Sequence, residues 1–453
     1  MLSSRSLTLL SAAAALAALT PAARADVKLP AVFGSHMVLQ RDAAIPVWGW
    51  AEAGEEVTVT LDSRVQQTKA DAEGNWKVTF PALKVGGDAH TLTVAGKNRV
   101  QLDDILIGEV WVGSGQSNME WPMTATADPG PAIAAAQHPQ IRLFHVPKIQ
   151  APAPAKDVSA SWKVCTPETV GSFSGTLYYF GVKLQGELQV PVGLINSSWG
   201  GSAIEPWTIH DGKSGGMYNG MIAPLLPFPV RGVIWYQGET NVLQKNGLAY
   251  FDKMQRLIGG WRSAWGNENL AFYYVQIAPW KGSYEGDELP KLWEAQVAAL
   301  KIPGTGMAVT TDLVDNIADI HPKNKRDVGH RLALWALAKT YGQKDLVYSG
   351  PLFKSQAVDG NKLRLSFAHT AAGLKSRDGQ PLSEFEVAGD DGKFVPAAAA
   401  IDGATVVVAA DGVAAPKFAR FGWRTLANPN LVNSAGLPAS PFQTNNWTGG
   451  TGE

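Results

Sequence analysis

The sequence predicts an α/β fold in which a parallel-sheet unit over roughly 105–345 is flanked by β-rich units over 26–104 and 346–453. Three observations carry that prediction. In the middle of the chain, apolar runs such as Val110-Trp111-Val112, Val192-Gly193-Leu194-Ile195 and Gly232-Val233-Ile234-Trp235 alternate with helical stretches, as expected for strands buried on both faces. On either side, short runs alternate apolar and polar residues between turns. Polar and Gly-rich segments directly follow the central apolar runs, at the strand ends where open α/β sheets place their ligands.

The chain starts with an export-type segment. Arg5 precedes a small, apolar run from Leu7 to Leu19, and Ala23-Arg24-Ala25 offers a cleavage site, so the mature chain is expected to begin near Asp26 and to be periplasmic or secreted. The run is shorter than the roughly 20 residues that span a bilayer, and no later stretch is long and apolar enough to insert. In 26–104, Val57-Thr58-Val59-Thr60-Leu61 and Trp76-Lys77-Val78-Thr79-Phe80 alternate about the turn Asp71-Ala72-Glu73-Gly74-Asn75, a small β-sandwich-like pattern.

Within the central unit, helices are expected over Leu177–Leu188, Tyr250–Trp265 and Val328–Tyr341, where apolar residues recur every three or four positions. Strand patterns return at Lys362–Phe367 and Thr405–Ala409. The Pro, Gly and Asn-rich stretch after Ala427 has no period and is expected to wrap back over the central unit without forming new elements.

Composition narrows the partners. Net charge is −1 with no Lys/Arg block, so nucleic acid and anionic membranes are not expected, and a neutral or weakly charged ligand fits better. The 16 tryptophans favour a sugar ligand only weakly, because Trp is also ordinary core material. Cys165 is the only cysteine, so no internal disulfide forms, and a buried thiol is expected there. Oligomeric state is not legible.

Four segments carry candidate chemistry. Gly115-Gln116-Ser117-Asn118-Met119 follows a strand, putting Ser117 on the turn; a serine capping the next helix would satisfy the same pentapeptide. Trp199-Gly200-Gly201-Ser202 follows another strand, and an exposed glycine amide can meet an oxyanion, although a plain tight turn reads the same. Trp235-Tyr236-Gln237-Gly238-Glu239-Thr240-Asn241 brings amide and carboxylate groups to the same edge. Asp319-Ile320-His321-Pro322 lies in a loop after the strand Met307–Thr311 and leads into a helix beginning near Asn324. Of eight histidines, His321 is the one preceded by several carboxylates, Asp312, Asp315 and Asp319. Imidazole, with an ordinary pKa near 6.5, can take a serine proton and return it.

These four blocks, in this order, resemble those of the sialate O-acetylesterase family of SGNH hydrolases, including related acetylxylan-type carbohydrate esterases. Tyr218–Leu225, Asn430-Leu431-Val432-Asn433 and Gly436–Phe442 extend the likeness over nearly all the mature chain. The resemblance implies a flavodoxin-like three-layer α/β/α domain and a serine-acyl mechanism on O-acetylated sugars or polysaccharides, with no metal or organic cofactor.

It also implies roles. Ser117, His321 and Asp319 form the catalytic set; Ser117, Gly200, Gly201 and Gln237 form the oxyanion hole; Gln116, Asn118, Asn219 and Glu239 line the substrate. Many SGNH hydrolases place the acid three residues before the histidine, which here is Ala318. Asp319 therefore takes that part, with Asp315, Glu239 or an acid-free Ser/His dyad as alternatives. The third block carries Gly238-Glu239-Thr240-Asn241 where the superfamily has Gly-x-Asn-Asp, which moves the expected amide donor to Gln237. Competing readings are a carbohydrate-binding protein without catalysis, which would damage Ser117 or His321; a lipase or thioesterase, which would want a long apolar groove; and a metal-dependent deacetylase, which would want a His/Asp cluster.

Overall fold

A computed structural model describes residues 26–86 and 88–445; the export segment read at 1–25 lies outside them. The central sheet is built from β1 (Arg99–Gly115), β2 (His138–His145), β3 (Trp162–Cys165), β4 (Val192–Ser198), β5 (Gly232–Tyr236), β6 (Ala271–Gln276) and β7 (Thr305–Val309), in the order β7-β6-β5-β1-β4-β2-β3. All neighbours are parallel except β2 and β3. Residues in β4 to β7 are buried throughout, which is why these strands read as unbroken apolar runs.

The chain steps from β1 outward to β2 and β3, returns through β4, and crosses to β5. The direction therefore reverses around β1, which places a crevice at its carboxyl end. Register sharpens that placement, because Gly115 of β1 is paired with both Ser198 of β4 and Tyr236 of β5. The three segments that follow these strands consequently start side by side. Gly115 has φ 128°, and a Cβ there would sit 2.2 Å from the Tyr236 carbonyl oxygen, so this position requires glycine.

The central unit also holds helices α1 (Ser117–Glu120), α2 (Gly175–Leu188), α3 (Glu239–Leu243), α4 (Tyr250–Trp265), α5 (Glu288–Ala298) and α6 (Lys325–Trp335), besides the short helices Pro129–Ala134 and Pro167–Val170. In α4, Tyr250, Met254, Leu257, Ile258 and Trp261 are buried at helical spacing. α6 begins three residues earlier than its apolar pattern suggests, because the Asn324 side chain accepts the Asp327 amide and caps it. Its last expected turn, Ala336–Thr340, is a π-helical turn. α6 packs against α2, and α4 against α5. Six tryptophans, Trp111, Trp207, Trp235, Trp261, Trp293 and Trp335, are fully buried, so much of the Trp content is core. Cys165 is buried, and burial pushes its thiol up to about 12.

The boundary read at 104/105 falls inside β1. Its first half pairs antiparallel with His90–Ala95, and its second half enters the central sheet. Asp104, at φ 55°, turns the strand there, held by the Arg142 guanidinium at 2.6 and 3.0 Å and by His36 Nδ1 at 2.6 Å. The carboxy-terminal unit has a separate core that includes Leu363, Leu365, Phe385, Val387, Val406, Phe421 and Phe442.

The stretch after Ala427 departs from expectation. It forms two short strands, Leu431–Asn433 and Phe442–Gln443, paired with Leu374–Ser376 and Phe418–Phe421. Backbone pairing needs no apolar period, so the pattern gave no sign of it. The tail also returns to the central unit, where Gln276 Nε2 donates to Ser440 Oγ at 2.9 Å. Among the described residues no helix is long and apolar enough to cross a membrane.

Candidate active site

Ser117 opens α1 two residues after the Gly115 bend, half-buried, with an amide of the kind a helix start leaves without an intrahelical partner. Its Oγ lies 2.9 Å from His321 Nε2, although 204 positions separate the two in the chain. The imidazole is stacked on Trp121, with centroids 4.5 Å apart and planes 20° apart. Burial lowers the His321 pKa below 6.5, and the Lys325 charge adds to that, while Asp319 pulls the other way. The ring is thus held neutral, the form able to accept a proton.

Asp319 Oδ1 accepts the His321 backbone amide at 2.9 Å and lies 3.4 Å from Nδ1 of the ring. The contact to the ring is longer than a good hydrogen bond and becomes an ion pair only when the imidazole is protonated. The other acids are occupied elsewhere: Asp315 accepts the Lys323 amide, Asp312 pairs with Arg331, and Glu239 Oε1 accepts the Asn118 amide. Asp319 is therefore the carboxylate beside the ring.

The glycine pair also reaches the nucleophile. A Cβ on Gly200 would lie 3.3 Å from Ser117 Cβ. The Gly200 amide, however, donates at 2.6 Å to Glu120 Oε2, and Glu120 Oε1 pairs with Lys148 Nζ at 2.5 Å. Gly201 is exposed at φ 74°, and its carbonyl accepts Thr240 Oγ1.

Several expected substrate contacts instead turn inward. Gln237 is fully buried, and its Nε2 is committed to Gln116 Oε1, Ser202 O and Asn241 Oδ1 at 3.1, 3.2 and 2.7 Å. This corrects the expectation of a Gln237 oxyanion donor: moving the amide one step earlier in the block aims it between strand ends, away from the cleft. Gln116 is likewise buried, its Oε1 facing the Gly238 and Thr240 amides. Asn219 Nδ2 donates to Ala151 O and its backbone carbonyl accepts the Ala155 amide, so it pins that loop. Asn118 and Glu239 bond to each other beneath Ser117 and face protein, not solvent. These four are corrected from substrate contacts to groups that hold the loops.

Sequence reasoning missed Glu120, Trp121, Lys148 and Lys325. Glu120 and Trp121 directly continue the Ser117 block and were within reach of it. Lys148 and Lys325 carried no local signal. Among the described residues no three of His, Cys, Asp and Glu group to hold a metal ion.

A strand-end serine within hydrogen-bond reach of a neutral imidazole, at the switch point of a parallel sheet, is the arrangement found in serine hydrolases. Comparison with known proteins carries this to a particular family. Residues 107–338 match the family model described as carbohydrate esterase, sialic acid-specific acetylesterase. The chain is 29% identical over 475 aligned residues to human sialate O-acetylesterase, covering 90% of each, and 29% identical to the rat protein, covering 71% of this chain and 74% of that one. A crystal structure of a carbohydrate acetylesterase from Xanthomonas citri superposes with a TM-score of 0.90 at 42% identity, covering 93% of this chain and 100% of that one. The chain belongs to the sialic acid-specific acetylesterase family of carbohydrate esterases, and it is a carboxylic ester hydrolase.

Proposed function

We propose that the protein removes acetyl groups from O-acetylated sugars through an acetyl-enzyme on Ser117. The 2.9 Å contact between Ser117 Oγ and His321 Nε2 carries this reading. Ser117 Oγ attacks the acetyl carbonyl as Nε2 takes its proton. The tetrahedral intermediate collapses, His321 returns the proton to the departing sugar hydroxyl, and the acetyl group stays on Oγ. Water, deprotonated by the same imidazole, then releases acetate and restores the hydroxyl. Asp319 orients the ring, chiefly by holding the His321 backbone.

For the oxyanion, the Ser117 and Gly201 amides are the available donors, since neither has a hydrogen-bond acceptor among the described residues. The Gly200 amide joins them once Glu120 withdraws toward Lys148. Each such donor is worth about 10²–10³ in rate.

The family's three-layer α/β/α arrangement with β-sandwich-like flanks fits the sheet and the two helix pairs. Export to the periplasm or medium follows from Arg5, the Leu7–Leu19 run and the Ala23–Ala25 site; a mature amino terminus near Asp26 on the secreted protein would support it, and an unprocessed one would refute it. For the chemistry, Ser117→Ala and His321→Ala should each abolish acetate release from an aryl acetate and from O-acetylated sialic acid or xylo-oligosaccharides, with an unchanged circular dichroism spectrum. Wild-type turnover in either variant refutes the mechanism.

A further inference from the structure

Beneath the nucleophile loop lies a buried chain of charge that the mechanism above does not use. Lys325, the first residue of α6, is 0% exposed, and its Nζ lies 2.5 Å from Asn118 Oδ1. Asn118 Nδ2 in turn donates to Glu239 Oε1 at 2.6 Å and to the Ile320 carbonyl at 3.1 Å. An ammonium can only donate and a carbonyl can only accept, so these partners fix which way the amide faces. Asn118 follows Ser117 and Ile320 precedes His321, so one amide ties the two reacting loops together. Glu239 is 2% exposed, and its Oε2 has no hydrogen-bond partner among the described residues; backbone and Asn118 hydrogen bonds and then the Lys325 charge offset its burial.

The surroundings of Lys325 are otherwise aromatic or acidic. Its Nζ lies 5.8 Å from the Trp121 ring that carries His321 and 5.4 Å from the Tyr236 ring, with Asp315 and Asp319 as the other charges acting on it. Burial drives its pKa down to about 7, the same burial raises that of Glu239, and Lys325 in turn depresses His321. Desolvating an ion pair this fully is costly, and an apolar pair of similar volume would often do as well for stability alone.

Resting on the serine-esterase reading, we propose that Lys325 is a positioning residue for the reaction: through Asn118 it holds the Ser117 and His321 loops in register, and it places a positive charge behind the imidazole. Glu239 is its counter-charge. Below neutral pH Lys325 is protonated, so its removal lets His321 gain a proton more readily.

The test is the pH profile of kcat/KM on an aryl acetate for Lys325→Met, Glu239→Gln and the double variant, with Ser117→Ala in parallel. Lys325→Met should move the acid limb up, by on the order of half a pH unit or more if the charge acts across an effective dielectric near 20 to 40. Glu239→Gln removes the charge that raises the Lys325 pKa, so Lys325 loses its proton at lower pH and the limb should also move up, by no more than in Lys325→Met, and the double variant should match Lys325→Met. A residue that only supports the fold would lower activity at every pH and leave the limb in place. If Lys325→Met fails to fold, the upward shift of the limb in Glu239→Gln decides. Limbs unmoved in folded variants beside an inert Ser117→Ala overturn the role of Lys325 alone; activity surviving in Ser117→Ala overturns the serine mechanism instead.

Discussion

Asp319 is the group whose loss can be sized from the structure. Its carboxylate makes two contacts, one to the His321 amide at 2.9 Å and one to the ring at 3.4 Å, and the two side chains are 34% and 24% exposed. Asp319→Asn keeps an oxygen for the backbone amide and removes only the charge. A partly solvated ion contact is worth about 0.2–1 kcal/mol, which corresponds to at most about a fivefold loss in kcat/KM. Asp319→Ala also releases the backbone of His321. A hydrogen bond to a charged group contributes about 1.5–3 kcal/mol, so if that is felt fully in holding the ring, the loss grows to about 10- to 150-fold.

Both figures are far below the roughly 10⁴-fold effect of replacing the triad aspartate by asparagine in chymotrypsin-type proteases, where the acid is buried and bonded directly to the ring. Steady-state kinetics on an aryl acetate, with melting curves to exclude unfolding, measures them. A loss beyond about a thousandfold in Asp319→Asn would show that Asp319 acts as a tightly coupled triad acid. Wild-type rates in both variants would show that His321 works without an orienting acid.

Other outcomes follow from the same geometry. Glu120→Ala frees the Gly200 amide, so kcat/KM on an aryl acetate should equal or exceed wild type and free acetate should inhibit more tightly; a loss over a hundredfold would mean that Glu120 supports the site instead of occupying it. Because His321 is depressed below 6.5, the enzyme should keep its rate into mildly acidic solution and lose it only as pH falls through the lowered value and the ring protonates; a limb above 6.5 would contradict this. Gly115→Ala drives a Cβ into the Tyr236 carbonyl at a positive φ, at a cost of about 2–6 kcal/mol, read as a thermal midpoint lowered by several degrees together with lost activity; an unchanged midpoint would refute the argument from close approach.

Much of the fold was legible because local composition encodes it. Strands buried on both faces read as apolar runs, and α4 shows its buried stripe at helical spacing, with the expected limits Tyr250 and Trp265 the observed ones. The start of α6 was legible in Asn324, the capping residue, and not in the apolar pattern, which begins three residues after that start; the strands of the tail were not expected, because short backbone pairing leaves almost no apolar pattern. At the site, Ser117 was visible because it stands directly after a buried strand, and His321 because it stands among carboxylates in the polar loop that follows another.

The sequence by itself determined the kinds of groups delivered to the carboxyl edge of the sheet: a serine, paired glycines, an amide-rich block and a histidine with nearby acids. Tertiary structure alone decided how they divide the work. Gln237 is tied between loops, the Gly200 amide is held by a carboxylate 80 positions away, and a lysine 207 positions from Asn118 orients it from below. Periodicity and turn chemistry act over a few residues, whereas a hydrogen-bond partner is chosen by which strand ends the sheet places side by side. Here that choice follows from Gly115 lying in register with both Ser198 and Tyr236.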